Sequence, residues 1–327
     1  MANSLLSITP HEVSRDLSGY SVLLYGEPKS GKTTTACKFP KSLLLAFERG
    51  YNAIPGVMAK PINSWAEFKK VLIELKDPEV QQAFKTIIID TADIAYGFCE
   101  EYICKAEDKD SIGDIPYGKG YKLVSDEFDT CIRKILQMNY GLVLISHSTD
   151  KVIKNENGEE YNRITPTLDN RGKLICERTC DIIGYSRAVE TPEGKSTRLY
   201  LRGTPRFVAG SRFKYVPDFI EFSYDNLVNA IMDAIDKEAA ENNNKFVTEK
   251  QSNLHTQEVK VYNFEELTQK FQSIVEKLMS GDKAQENSNK IVTIVETHLG
   301  KGKKVSECTP SQAELLDLIV YDLEHLL

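Results

Sequence analysis

At 327 residues, with 41% hydrophobic and 27% charged side chains, the chain has room for one sizeable α/β domain and a smaller unit. No apolar run approaches the ~18 residues that span a bilayer, no signal-peptide pattern opens the chain, and the seven cysteines are odd in number and irregular in spacing. These features argue against a membrane protein or a disulfide scaffold and lead us to expect a protein of a reducing cytoplasm. The net charge of −7 speaks against a surface coated for nucleic acid, yet it is unevenly spread. Residues 163–214 carry eleven Lys/Arg against five acids, a local +6 that leaves −13 for the remainder. Such a reversal fits either a face that meets phosphate or an acidic neighbour, or a solvated strand face rich in arginine.

In chain order, apolar β-rich runs alternate with helical periodicity. Strands are expected at 21–25, 42–47, 85–90 and 141–146, with helices at 32–39, 64–76, 92–106 and 119–138. That βαβα order predicts a mostly parallel sheet covered on both faces. Further strands are expected at 181–189, 197–202 and 205–209, the first two joined by a turn at Pro192–Gly194, and a helix at 224–240 closes the core. The first 240 residues therefore read as one core and the polar stretch 241–260 as a linker. In 261–327, Phe264, Leu267, Phe271, Ile274 and Leu278 recur at helical spacing, Ile291, Ile294, Val295 and Leu299 mark a second helix, and Pro310 opens a third. These stripes form a small helical bundle, packed on itself or against a partner.

Gly26-Glu27-Pro28-Lys29-Ser30-Gly31-Lys32-Thr33 is a complete phosphate-binding loop, set between the strand Val22–Tyr25 and helix-forming Thr34-Thr35-Ala36. Backbone N–H groups and the positive helix end converge on an anion there. Gly26 through Thr34 are thus the candidate nucleotide-binding residues. Lys32 should reach the β- and γ-phosphates of ATP, and the Thr33 hydroxyl should ligate Mg²⁺. Lys85-Thr86-Ile87-Ile88-Ile89-Asp90 is a buried strand ending in an acid, so Asp90 is placed to hold a water of the Mg²⁺ shell. Glu48 ends the strand Leu43–Phe47 and is the candidate general base for hydrolysis. His147 ends Leu142–Ser146, where it would sense the γ-phosphate or serve as an ordinary structural histidine.

Taken together, Gly26–Thr33, Phe47-Glu48-Arg49, Ile89-Asp90-Thr91, Ile145-Ser146-His147, Ile115–Tyr121 and Gly210-Ser211-Arg212-Phe213 resemble the RecA-like ATPases. Within them, the chain is similar to the phage nucleotide-binding proteins described as single-strand annealing recombinases. The resemblance spans about 20–225 and implies a RecA-like P-loop NTPase core that self-assembles into a ring or filament. It also implies ATP between subunits, with a basic residue of the neighbour completing the site. Arg212 holds that position, with Arg206 as second choice; the plain alternative is an arginine paired to a local carboxylate. Two loops would grip single-stranded DNA: 107–121, with Tyr117, Lys119 and Tyr121, and 148–171, with Lys151, Lys154, Arg163 and Arg171. The resemblance departs at three points: His147 stands where RecA has glutamine, no zinc finger precedes the P-loop, and the C-terminal bundle is foreign to RecA. The leading expectation is a DNA-dependent ATPase that assists annealing or recombination, its bundle meeting a phage single-strand-binding or other recombination protein. A helicase-like motor or loader, and a nucleotide-gated interaction protein with little turnover, are the alternatives.

Overall fold

The computed structural model describes residues 8–154, 156–192, 194–243, 245–251, 262–280 and 283–326. The chain divides into two compact units, 1–256 and 257–327. In chain order the first unit contains β1 (Val13–Ser14), β2 (Ser21–Gly26), α1 (Lys32–Ala36), β3 (Ser42–Ala46), β4 (Ala59–Pro61), α2 (Trp65–Glu74), α3 (Pro78–Ala83) and β5 (Thr86–Asp90). There follow α4 (Ala92–Ala106), α5 (Lys119–Gln137), β6 (Gly141–Lys154), β7 (Glu160–Pro166), α6 (Asn170–Thr179), β8 (Ile182–Thr191) and β9 (Gly194–Tyr200). It closes with β10 (Gly210–Ser211), β11 (Phe219–Glu221), α7 (Tyr224–Glu241) and β12 (Val247–Thr248).

The main sheet runs β11-β9-β8-β2-β6-β5-β3-β4, with β10 on β8 and β7 on β6. Strands β8, β2, β6, β5, β3 and β4 are mutually parallel, and antiparallel β9, β10, β11 and β7 are added around them. The alternation of the strands divides the interior into two layers. Leu23, Leu45, Ile87, Ile89, Leu142 and Leu144 pack against α2, α4 and α5 around Trp65, Phe68 and Phe128. Val22, Leu24, Leu44, Ile88, Val143 and Ile145 pack against Leu227, Ile231 and Ile235 of α7. Every central strand is therefore apolar on both faces, which is why these segments read as continuous runs rather than as alternating ones. This is the α/β core with a mostly parallel sheet that the sequence leads one to expect.

Three local expectations are corrected. The segment 148–171, read as a loop, is instead a two-stranded ribbon followed by a helix: β6 continues past His147 to Lys154 and pairs residue for residue with β7, after which α6 begins at Asn170. The chain reverses near Asn157-Gly158, with Gly158 at φ +81°, a turn dipeptide that tolerates positive φ. Residues 205–209 form no strand. Their backbone is satisfied by Ile164, whose N–H donates to the Arg206 carbonyl at 2.8 Å, and by the Tyr25 hydroxyl, which bonds to Val208. The expected linker at 241–260 starts too early, because β12 pairs in parallel with β1 and keeps residues to at least Thr248 within the core; 252–260 lie outside the described residues.

The second unit holds α8 (Phe264–Met279), α9 (Ala284–Leu299) and α10 (Ala313–Glu324), which bury Ile274, Leu278, Ile291, Val295, Leu316, Ile319, Val320 and Leu323 against one another. Pro310 opens a single 3₁₀ turn that leads into the third helix. Among the described residues, no helix is long and apolar enough to cross a membrane.

Candidate nucleotide site

The site forms at the carboxyl edge of the parallel strands, where register fixes which residues meet. Gly26 of β2 lies level with His147 of β6 on one side and Ser186 of β8 on the other, while Ala46 and Ile145 flank Asp90. The loop leaves this edge through Gly26 at φ +152°, and Gly31 at φ +89° precedes α1. Gly26 has no space for a side chain, since a Cβ would stand 2.2 Å from the Ser186 carbonyl oxygen and 2.3 Å from its hydroxyl.

Lys32 is buried, and its amine donates to the carbonyls of Gly26 at 3.0 Å and Glu27 at 2.7 Å. Burial lowers its pKa, opposed by the negative charges of Asp90, Glu48 and Asp93. The Thr33 hydroxyl donates to Asp90 Oδ2 at 2.7 Å. Asp90 is 2% exposed, and its Oδ1 is buried with no hydrogen-bond partner among the described residues. Desolvation raises its pKa to about 6, against the Thr33 bond, which lowers it, and with the Glu48 charge, which raises it further. Glu48 is anchored by its own N–H, which donates to the Asp90 carbonyl at 3.2 Å, and its Oε2 lies 3.6 Å from His147 Nε2.

These groups surround a cavity of about 380 Å³, lined on its polar side by Lys32, Thr33, Glu48, Asp90 and His147 and on its apolar side by Ala53 and Ile54. Pro28, Lys29, Gly31 and Thr34 also line it. Gly26, Glu27 and Ser30 do not: the first two present carbonyls to Lys32, and the Ser30 hydroxyl lies 2.7 Å from that of Ser186. Among the described residues, no cluster of three or more His, Cys, Asp or Glu is arranged for a metal. The Thr33 hydroxyl and the orphaned Asp90 oxygen nevertheless fit Mg²⁺, which typically takes one or two protein oxygens together with substrate phosphates and water.

Sequence reading had not marked Ser186, Ala53 or Ile54. Ser186 sits inside an apolar strand with no motif around it, and Ala53 and Ile54 belong to an irregular segment after Glu48. Arg212 is not brought to this cavity. Its Nε lies 3.4 Å from Asp181 Oδ1, and its Nη2 donates to the Arg178 carbonyl at 3.1 Å. Asp181 precedes Ile182, which is level with Val22, so Arg212 occupies the opposite, amino edge of the sheet. Arg206 is exposed beside β7.

The two predicted DNA regions do meet each other. Tyr117 is fully exposed and Tyr121 is 45% exposed. The Arg171 guanidinium lies 5.6 Å from the centre of the Tyr121 ring, and Lys151 donates to Asn170 Oδ1 at 2.8 Å. Lys119 is exposed next to Tyr117. Lys154 instead pairs with Glu160 at 3.4 Å, and Arg163 is half-buried with its Nε unpartnered among the described residues.

A family model described as "AAA domain" matches residues 18–213. The SPbeta prophage-derived uncharacterized protein YorG of Bacillus subtilis strain 168 is 31% identical over 324 residues, covering 96% of each chain. A KaiC-like protein of Pyrococcus horikoshii OT3 is 13% identical, with a TM-score of 0.34, over 65% of this chain and all of the other.

Proposed function

We propose, from the premise that this chain belongs to the AAA domain family of P-loop ATPases, that it hydrolyses ATP and couples that reaction to single-stranded DNA as a RecA-like annealing or recombination protein. The observation that carries the ATPase reading is the convergence of Thr33, Asp90, Glu48 and His147 on one sheet edge around Lys32. The loop N–H groups and Lys32 would hold the β- and γ-phosphates. Mg²⁺ held by Thr33, and through water by Asp90, would neutralise charge on those phosphates. Asp90 must be ionised for this role, and a bound cation would favour that ionised form. Glu48 takes the proton of the attacking water, and His147 at 3.6 Å orients the Glu48 carboxylate and reads the γ-phosphate position.

The DNA reading is supported by the exposed aromatics Tyr117 and Tyr121 beside Lys119, Lys151 and Arg171, a combination suited to stacking bases and meeting phosphates. Arg163 and Lys154 are weaker members, one half-buried and the other already paired. Arg212 at the amino edge supports a head-to-tail homo-oligomer in which it would reach the neighbour's γ-phosphate. Such an interface closes into rings or extends into filaments. The bundle would bind a recombination partner in the host cytoplasm, and the prophage origin of the YorG relative agrees with a phage role. The decisive experiment measures ATP turnover with and without oligo-dT, together with oligomer mass in each state. Turnover that oligo-dT leaves unchanged, with no nucleotide-dependent assembly, would overturn the coupling.

A further inference from the structure

Directly behind the nucleotide site, Thr167 joins three elements. Its backbone N–H donates to the His147 carbonyl at 3.0 Å. Its hydroxyl donates to Asp93 Oδ2 at 2.6 Å and lies 3.2 Å from the Ser146 hydroxyl. Asp93 stands in the first turn of α4, three residues after Asp90, and its Oδ1 is buried with no partner among the described residues. An O–H donated to a carboxylate at this distance is a charge-assisted bond, stronger than a neutral pair. The Asp93 charge also acts on the Lys32 ammonium.

On the other side of Thr167 the chain enters α6 within three residues. Asp169 accepts from the Arg171 N–H at 2.9 Å and caps the helix, Asn170 accepts from Lys151, and Arg171 covers Tyr121. Of the contacts Thr167 makes, the hydroxyl bond to Asp93 is the one that ties the start of α6 to α4, the helix that follows Asp90.

We propose that the Asp93–Thr167 hydrogen bond is a latch that couples nucleotide occupancy to the first turn of α6 and so to Arg171, with Thr167 as the positioning residue. The inference rests on the nucleotide-binding reading above. Nucleotide arrival gives Lys32 an anionic partner in place of the loop carbonyls, which changes the field at Asp93 and the strength of its bond to Thr167. The energy transmitted is limited to the difference in that bond between the two states.

The test is hydrogen exchange of the full chain with and without a slowly hydrolysed Mg-ATP analogue, in wild type, Thr167→Val and Thr167→Ser. Nucleotide should protect the P-loop amides in all three proteins. In wild type and Thr167→Ser, exchange at 168–173 should change by up to about tenfold, the most that loss of one hydrogen bond would give. In Thr167→Val that response should vanish, nucleotide affinity should shift by no more than the same factor, as reciprocity requires, and nucleotide should no longer alter oligo-dT affinity. A response at 168–173 that survives in Thr167→Val, or is missing from a wild type whose P-loop is protected, overturns the latch and leaves nucleotide binding intact. A wild-type P-loop indifferent to nucleotide overturns both. A latch that responds as described in a protein without oligo-dT affinity supports the inference and removes DNA from the proposed function.

Discussion

Replacing Asp90 by asparagine should stabilise the nucleotide-free protein while destroying its Mg²⁺-dependent nucleotide binding. Burial raises the Asp90 pKa from 3.8 to about 6 with 2% of the residue exposed. A shift of roughly two units corresponds to about 3 kcal/mol of penalty on the ionised form. The sign follows from proton linkage. The native state holds the Asp90 proton more tightly than the unfolded chain does, so the penalty is fully present above about pH 6 and fades as pH falls toward 3.8. Asparagine keeps an oxygen for the Thr33 hydroxyl and carries no charge to desolvate. For a unit of this size, about 2–4 °C per kcal/mol predicts a melting temperature ~6–12 °C higher at pH 8. At pH 5 the gain should shrink by about half. Thermal melts of both proteins at the two pH values read this directly. With Mg-ATP at one hundred times Kd the wild type should recover about 2.7 kcal/mol, while the variant shows no Mg²⁺-dependent shift. Equal melting at pH 8, or a gain that does not shrink at pH 5, would refute the idea that a buried charge kept for function strains this site.

The remaining expectations concern single roles. Glu48→Gln should lower ATP turnover by ~10²–10⁴ with little change in nucleotide affinity, and an unchanged rate removes Glu48 as the base. Gly26→Ala would place a Cβ 2.2 Å from the Ser186 carbonyl oxygen, so it should lose ~3 kcal/mol or more in a denaturation curve and weaken nucleotide binding by calorimetry. Tyr121→Ala should cost ~1–3 kcal/mol of oligo-dT affinity in fluorescence anisotropy. Arg171→Ala should also reduce the salt dependence of binding, by a log–log slope of about 0.7. Arg212→Ala, losing a partly exposed ion pair to Asp181 and a bond to the Arg178 carbonyl, should cost ~1 kcal/mol of stability. If it completes a neighbour's site, its turnover should fall and recover on mixing with Lys32→Ala subunits; undiminished turnover refutes that role.

The legible part of the site shares one physical cause. Glu48, Asp90, His147 and the P-loop are all polar residues that end a fully apolar run, and in a parallel sheet every such end lies on the same edge. The sequence alone therefore places them together on one sheet edge without any knowledge of strand order. What it missed depended on contacts distant in the chain. Ser186 is legible as a strand residue, but only the pairing of β2 with β8 brings it to Gly26 and Ser30. The β6–β7 ribbon looks like a loop in the sequence because its apolar run stops at Ser146, beyond which the exposed strands carry polar and charged residues, although Asn157-Gly158 marks a turn. At 205–209 the strand pattern meets β7 in a single bridge, between Ile164 and Phe207, and the Tyr25 hydroxyl bonds to Val208 beside it, so no longer ladder forms.

The charge reversal at 163–214 acquires a geometric meaning from α6. That helix begins beside β7, at the edge where the P-loop sits, and ends beside Asp181, at the amino edge next to the start of β2. Its ten residues span about 15 Å, comparable to the six residues of β2 at ~3.3 Å each. Arg171 in its first turn faces Tyr121, whereas the Arg178 carbonyl in its last turn accepts from Arg212. Arg171 and the Arg212 anchor therefore lie at opposite ends of α6, while Arg187, Lys195 and Arg198 lie on β8 and β9. A carboxyl edge bearing Arg171, Lys151 and exposed tyrosines would suit the proposed polynucleotide, while Arg212, paired with Asp181 at the amino edge, would reach a nucleotide only on a neighbouring subunit. If Thr167 transmits nucleotide state to the first end of α6, the same displacement reaches the Arg212 anchor at the other. Arg171→Ala should then alter DNA affinity without altering oligomer mass, and Arg212→Ala should do the reverse.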